Sequence, residues 1–174
     1  MSQETSLRRL VGVVLISWLS IIGLDLFLHA GLLARIYFAQ SPFLLSPLEA
    51  FMLIPLGYFS FLILDAFLVW LMKRIGIAGW KQGLQFGLMF GLFAYGGFLL
   101  GLLSISTASL ILIVGWFVGV AAEFALAGAV IGSALVGSGL RRLSLKVVGL
   151  TVAFFMLTII MQNTGLAPAV VINP

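Results

Sequence analysis

Long runs of hydrophobic residues dominate the chain, and short polar, glycine-containing or proline-containing stretches separate them. The hydrophobic segments cover residues 10–33, 48–71, 80–103, 110–135 and 145–161. Each is long enough to cross a hydrocarbon core of about 30 Å, which takes roughly 20 helical residues. Because lipid cannot satisfy unpaired backbone groups, each segment must be a helix. The pattern predicts one all-α domain over residues 1–174, a polytopic transmembrane helix bundle with five spans.

The basic residues are distributed unequally between the two sides of this predicted bundle. Eight of the nine lie before the first span or flank the turns after the second and fourth spans, namely Arg8, Arg9, Lys73, Arg74, Lys81, Arg141, Arg142 and Lys146. Arg35 alone lies on the other side. The positive-inside rule therefore predicts a cytoplasmic N-terminus and an external C-terminus. The first span is expected to be retained, since its apolar run is longer than that of a signal peptide and contains Asp25.

The composition excludes several classes of protein. The chain is 63% hydrophobic and 8% charged, whereas soluble domains have about a quarter charged residues, so the lipid bilayer is its expected surroundings. Its net charge of +4 comes from sparse basic residues that cannot form a patch for nucleic acid. With no cysteine, the chain has no disulfide, thiolate nucleophile or iron–sulfur ligand.

Small residues recur at intervals of about one helical turn in the third and fourth spans. The third span carries Gly79, Gly83, Gly87 and Gly91, and the fourth carries Gly115, Gly119 and Ala127. A second row on the fourth span contains Ala121, Ala125, Ala129, Ser133 and Gly137. Such rows let helix backbones approach closely in lipid. They predict a tight hairpin of these two spans, and the second row leaves open a homo-oligomer interface.

A few polar side chains interrupt the hydrophobic spans and form two predicted layers. Counting about 1.5 Å per residue from the span ends gives an outer layer of Asp25, His29 and Tyr95, and an inner layer of Asp65, Glu123 and Gln85. Charged groups at this depth are costly, so they should face other helices. Asp25 and His29 are four residues apart and can pair on one helix face.

These side chains have two competing interpretations. In the first, they are polar contacts that hold helices together, which is common in membrane proteins. In the second, they are stations for a proton or another cation. Metal binding by Asp25 and His29 is disfavoured because the pair supplies only two ligands, and no metal or other cofactor is expected. With a single histidine, bis-histidine haem is excluded and a Ser-His hydrolase is disfavoured.

The chain resembles small uncharacterised bacterial multi-pass inner-membrane proteins. The resemblance rests on the Asp25 and His29 pair, a tyrosine shortly after it, the sequence GWKQGLQFGLMFGL at the start of the third span, and the acid in the small-residue fourth span. It covers the first four spans. It implies an inner (plasma) membrane location and no particular activity, because those families have none assigned.

Together these features predict a non-enzymatic integral membrane protein. It would be either a small helical bundle or an accessory subunit of a membrane complex, packed through its small-residue faces. The alternative is a small, oligomeric transporter or channel that moves protons or a small solute past the buried carboxylates. A membrane-embedded enzyme is the third hypothesis.

Overall fold

The computed structural model describes residues 7–39, 41–137 and 139–168, which contain helices and no strand. Five helices are long and apolar enough to cross a membrane: Leu7–Leu32, Glu49–Ile75, Trp80–Ile105, Leu110–Leu135 and Leu140–Asn163. A short helix, Ala34–Tyr37, follows the first, and the second begins at Pro47. The prediction of an all-α chain with five such helices is confirmed. The end of the predicted external tail, residues 169–174, lies outside the described residues.

The second span has clear local signals at both ends. At its start the Ser46 amide donates to Glu49 Oε2 at 3.1 Å, and the Glu49 amide donates to Ser46 Oγ at 3.4 Å. This reciprocal capping box satisfies two donors that a helix start leaves free. At the other end Gly76 adopts a left-handed conformation with φ of 77°, which terminates the helix.

The third and fourth spans form the tight antiparallel hairpin that the glycine spacing predicts. A Cβ atom added to Gly83 would collide with the carbonyl of Gly128, and one added to Gly87 would collide with the carbonyl of Phe124. At the turn the Gly79 amide donates to the Gly132 carbonyl at 2.9 Å, a direct backbone bond between the two helices. The backbones are therefore in contact along about three helical turns.

The row of Gly115, Gly119 and Ala127 on the fourth span also packs within the chain, but against the first span and the short helix rather than against the third span. Gly115 lies against Tyr37, Gly119 lies against Leu28 and Tyr37, and Ala127 is fully buried in the core. The third-span glycines instead meet the neighbouring face of the fourth span, which carries Gly128 and Gly132. In the second predicted row, Ala121 is buried, Ala125, Ala129 and Ser133 are half-buried and Gly137 is exposed, so the homo-oligomer interface stays a prediction.

The fourth span is the centre of the bundle, and the first span packs beside it. A hydrophobic core joins the first, second and fourth spans through Val13, Ile21, Leu68, Met72, Phe124 and Ile131. Arg9 Nη2 donates to the Ala134 carbonyl at 3.0 Å, which joins the start of the first span to the end of the fourth. We call this end of the bundle, which includes residues 76–79, 136–137 and 139, the basic end. The opposite end, with residues 33–39, 41–46 and 106–109, is the loop end.

Candidate functional site

Three polar side chains from the first and fourth spans converge in the half of the bundle nearer the loop end. Asp25, His29 and Glu123 each offer a donor atom, and these atoms all lie within 4.8 Å of one another. His29 Nδ1 lies 2.8 Å from Asp25 Oδ1, so the predicted pairing of these two residues is confirmed. We refer to the three side chains as the Asp–His–Glu cluster.

Glu123 is the innermost member of the cluster. Its side chain is 0% exposed, and neither of its carboxylate oxygens has a hydrogen-bond partner among the described residues. By contrast, the side chains of Asp25 and His29 are 13% and 28% exposed. A buried carboxylate without a partner is strongly unfavourable. Within the described residues, Glu123 therefore lacks a hydrogen-bond partner that would satisfy its oxygens.

Tyr37 closes the cluster from the loop end. Its ring lies 4.0 Å from the His29 ring, measured between centroids, and its hydroxyl is buried without a hydrogen-bond partner in the described part of the chain. A Cβ added to Gly119 would lie 3.8 Å from Glu123 Oε1 and 4.0 Å from Tyr37 Oη. The glycine therefore leaves room between the carboxylate and the phenol. Burial raises the pKa of Tyr37, so its hydroxyl keeps its proton and can donate.

The position of Glu123 corrects the prediction of two polar layers. Glu123 was expected beside Asp65 and Gln85, but it lies with Asp25 and His29. Side chains on a helix lean toward its N-terminus. Because the fourth span runs from the loop end to the basic end, this lean carries the Glu123 carboxylate toward the outer layer. Gln85 is also not part of a buried layer, because its side chain is exposed.

Asp65 forms a separate contact between the first and second spans. It is fully buried, and Ser17 Oγ donates to its Oδ2 at 2.6 Å. The Ser17 hydroxyl also lies 2.8 Å from the Val13 carbonyl of its own helix. Asp65 lies outside the Asp–His–Glu cluster, and its geometry matches the interpretation as a polar contact between helices.

A cavity of about 260 Å³ adjoins the exposed side of the cluster. It is open rather than enclosed, and it is lined by Asp25, His29, Phe61, Tyr95, Phe98, Leu99, Trp116 and Val120. Tyr95 therefore lies with Asp25 and His29, as the sequence predicts. Apart from these polar groups the walls are hydrophobic, and they come from the second, third and fourth spans. The cavity therefore meets the cluster at Asp25 and His29, and Glu123 is not among its lining residues.

Two π-helical segments border the site, one in the first span and one in the third. Leu28–Leu32 carries His29, and Gly91–Tyr95 carries Tyr95. The first segment ends with a bond from the Leu33 amide to the Leu28 carbonyl at 2.7 Å, which spans five residues. Such turns are rare and occur frequently at functional sites. Hydropathy and residue spacing gave no signal for either of them.

Gln162 of the fifth span supports the π-helical turn of His29. Its Nε2 donates to the Ala30 carbonyl at 2.9 Å. We expect Gln162→Leu to lower the free energy of unfolding by about 1 kcal/mol, because a partly buried hydrogen bond is lost. Thermal unfolding in detergent measures this, with Asn163→Leu at the exposed neighbouring position as the control. Equal stability of the two variants would contradict a supporting role for Gln162.

No protein-family model, curated protein or solved structure matches the chain. The geometry of the Asp–His–Glu cluster and its cavity is therefore the basis for a proposal of function.

Proposed function

We propose that this protein is a small membrane carrier that binds a cation at the Asp–His–Glu cluster and moves it across the membrane. The observation that carries the proposal is the Glu123 carboxylate, which is fully buried, has no partner among the described residues and lies beside a second acid. A bound cation would coordinate the Glu123 oxygens, which have no hydrogen-bond partner among the described residues. Intramembrane acids that face the bundle interior commonly mark ion pathways.

The limited depth of the cavity supports a carrier rather than an open channel. The cavity reaches Asp25 and His29, while the apolar core that contains Phe124, Ile21 and Leu68 fills the space toward the basic end. A carrier exposes its site to one side at a time, near the middle of the membrane. The charge bias of the turns supports an external loop end in an inner membrane.

A second candidate function is that of an accessory subunit in a membrane complex. In its favour, the first part of the second span exposes large apolar side chains on every face, namely Phe51, Met52, Leu53, Ile54 and Leu56. Lipid or another membrane protein must cover them. In this role, mild detergent extraction and native mass measurement would recover a stoichiometric partner protein. A particle that contains only this chain would contradict the accessory role.

Flux into liposomes tests the carrier proposal. The purified chain is reconstituted into vesicles, and uptake of H⁺, Na⁺, K⁺, Mg²⁺, Mn²⁺ and Zn²⁺ is followed with ion-sensitive dyes. We expect at least one cation to enter faster than into protein-free vesicles, and Glu123→Gln to reduce that rate to background. Glu49→Gln is the matched control, because it makes the same change at an exposed position where glutamine can keep the cap.

Two results would contradict the carrier proposal. One is that no cation in the panel enters faster with the wild-type protein than without it. The other is that Glu123→Gln transports at the same rate as wild type and Glu49→Gln.

A further inference from the structure

We infer that the Asp–His–Glu cluster is a binding site for a divalent transition-metal ion of the Zn²⁺ and Mn²⁺ class. The inference rests on the proposed function, because it names the cation that the carrier would take. The sequence alone argued against a metal, since Asp25 and His29 supply only two ligands. The fold adds the third ligand, because Glu123 of the fourth span brings its carboxylate to within 4.8 Å of both.

The chemical types of the donor atoms indicate which class of metal ion would bind. One imidazole nitrogen and two carboxylate oxygens suit Zn²⁺ and Mn²⁺, whereas Mg²⁺ and Ca²⁺ prefer oxygen ligands only. Three protein ligands with a free fourth position are a common zinc arrangement. Asp25 and His29 present their side chains on one face because they are one helical turn apart.

The separation of the donor atoms is close to what a metal requires. With metal–ligand distances near 2.1 Å, tetrahedral ligands are about 3.4 Å apart. The present maximum of 4.8 Å closes to that value with a shift of about 1 to 1.5 Å in one side chain. Glu123 is suited to make this movement, because its carboxylate has no hydrogen bond to break within the described part of the chain.

Charge balance favours a divalent ion over a monovalent one. Two carboxylates and a neutral imidazole carry two negative charges, so a divalent ion gives a neutral complex. In a low-dielectric interior any residual charge is costly. Na⁺ or K⁺ would leave one negative charge at a depth where Glu123 is completely buried.

Neighbouring groups are arranged as the surroundings of a metal site usually are. His29 Nδ1 lies 3.1 Å from the Asp25 carbonyl oxygen, and a proton on Nδ1 leaves the lone pair on Nε2 for a metal. The Tyr37 ring lies 4.0 Å from the His29 ring, measured between centroids, so it can hold the imidazole in position. Such outer contacts orient the ligands of metal sites.

Equilibrium dialysis of the purified, EDTA-treated protein against Zn²⁺ and Mn²⁺ tests the inference, with bound metal measured by mass spectrometry. We expect one ion per chain, and a loss of affinity greater than about 100-fold in His29→Gln and Glu123→Gln, because even outer-shell changes cost 10–100-fold. Glu49→Gln and Asp65→Asn should bind as wild type does. Binding that is unchanged in the two ligand variants would overturn the inference.

A measurement on the wild-type protein tests the site without variants, which can fail to fold. X-ray absorption of the zinc-loaded protein should show one imidazole nitrogen and otherwise oxygen ligands, and a shell without imidazole would overturn the site. The flux assay separates this inference from the carrier proposal. Metal binding without flux of any cation supports the site and overturns the carrier. Flux of H⁺ or Na⁺ without metal binding supports the carrier proposal and overturns the proposed metal site.

Discussion

Replacing Gly87 with alanine should lower the free energy of unfolding by about 3 kcal/mol, the upper part of the range for overpacked sites. The added methyl group would occupy the position of the Phe124 carbonyl on the facing helix. Because the obstacle is backbone rather than a flexible side chain, relief requires the third and fourth spans to move apart. Their separation would also weaken the neighbouring contact of Gly83 with Gly128.

Gly97→Ala is the matched control for this substitution. It lies on the same helix, and an added Cβ there meets nothing within 4 Å. Alanine favours helix over glycine by up to about 1 kcal/mol, so the control should be neutral or slightly stabilising. Thermal or denaturant unfolding in detergent measures both variants. If Gly87→Ala were as stable as Gly97→Ala, the close packing of the hairpin would be wrong.

Replacing Glu123 with glutamine should raise the free energy of unfolding of the metal-free protein by up to about 3 kcal/mol, the cost that insertion scales assign to a charge in mid-membrane. The substitution removes a buried acid whose oxygens have no hydrogen-bond partner among the described residues. The new amide can also donate a hydrogen bond to Asp25. A residue kept for binding commonly lowers stability, which is the trade-off expected here.

Unfolding measured in the presence of EDTA and then of excess Zn²⁺ tests this expectation. With EDTA, Glu123→Gln should unfold at a higher temperature than wild type. With Zn²⁺ the order should reverse, because only wild type gains stability from tight binding. Glu49→Gln, the same change at an exposed site, should follow wild type in both conditions. If Glu123→Gln is less stable than wild type with EDTA, the carboxylate is a structural contact and the binding role is contradicted.

The elements of the fold could be predicted from the sequence because their signals are local. Hydropathy over about 20 residues identifies each span, as for Leu110–Leu135, whose observed bounds equal the predicted ones. The spacing of Gly83 and Gly87 likewise identified the face of the third span that meets the fourth. On the fourth span the contact falls on Gly128 and Gly132, which lie outside the predicted rows. In both cases the information lies within one segment.

The site could be predicted only in part, because it depends on the register between helices. Asp25 and His29 share a helix, so their pairing followed from their spacing. Glu123 was assigned to the other layer, since residue counting locates its Cα and neglects the lean of its long side chain. The π-helical turn at His29 and its contact with Gln162 depend on tertiary packing. No local sequence pattern predicts them.

The most direct test of the central claim is anomalous diffraction at the zinc edge from crystals of the zinc-loaded protein grown in lipid. We expect one strong peak within about 2.3 Å of side-chain atoms of Asp25, His29 and Glu123. A map with no peak between these residues, or a Glu123 side chain directed at the acyl chains, would contradict it.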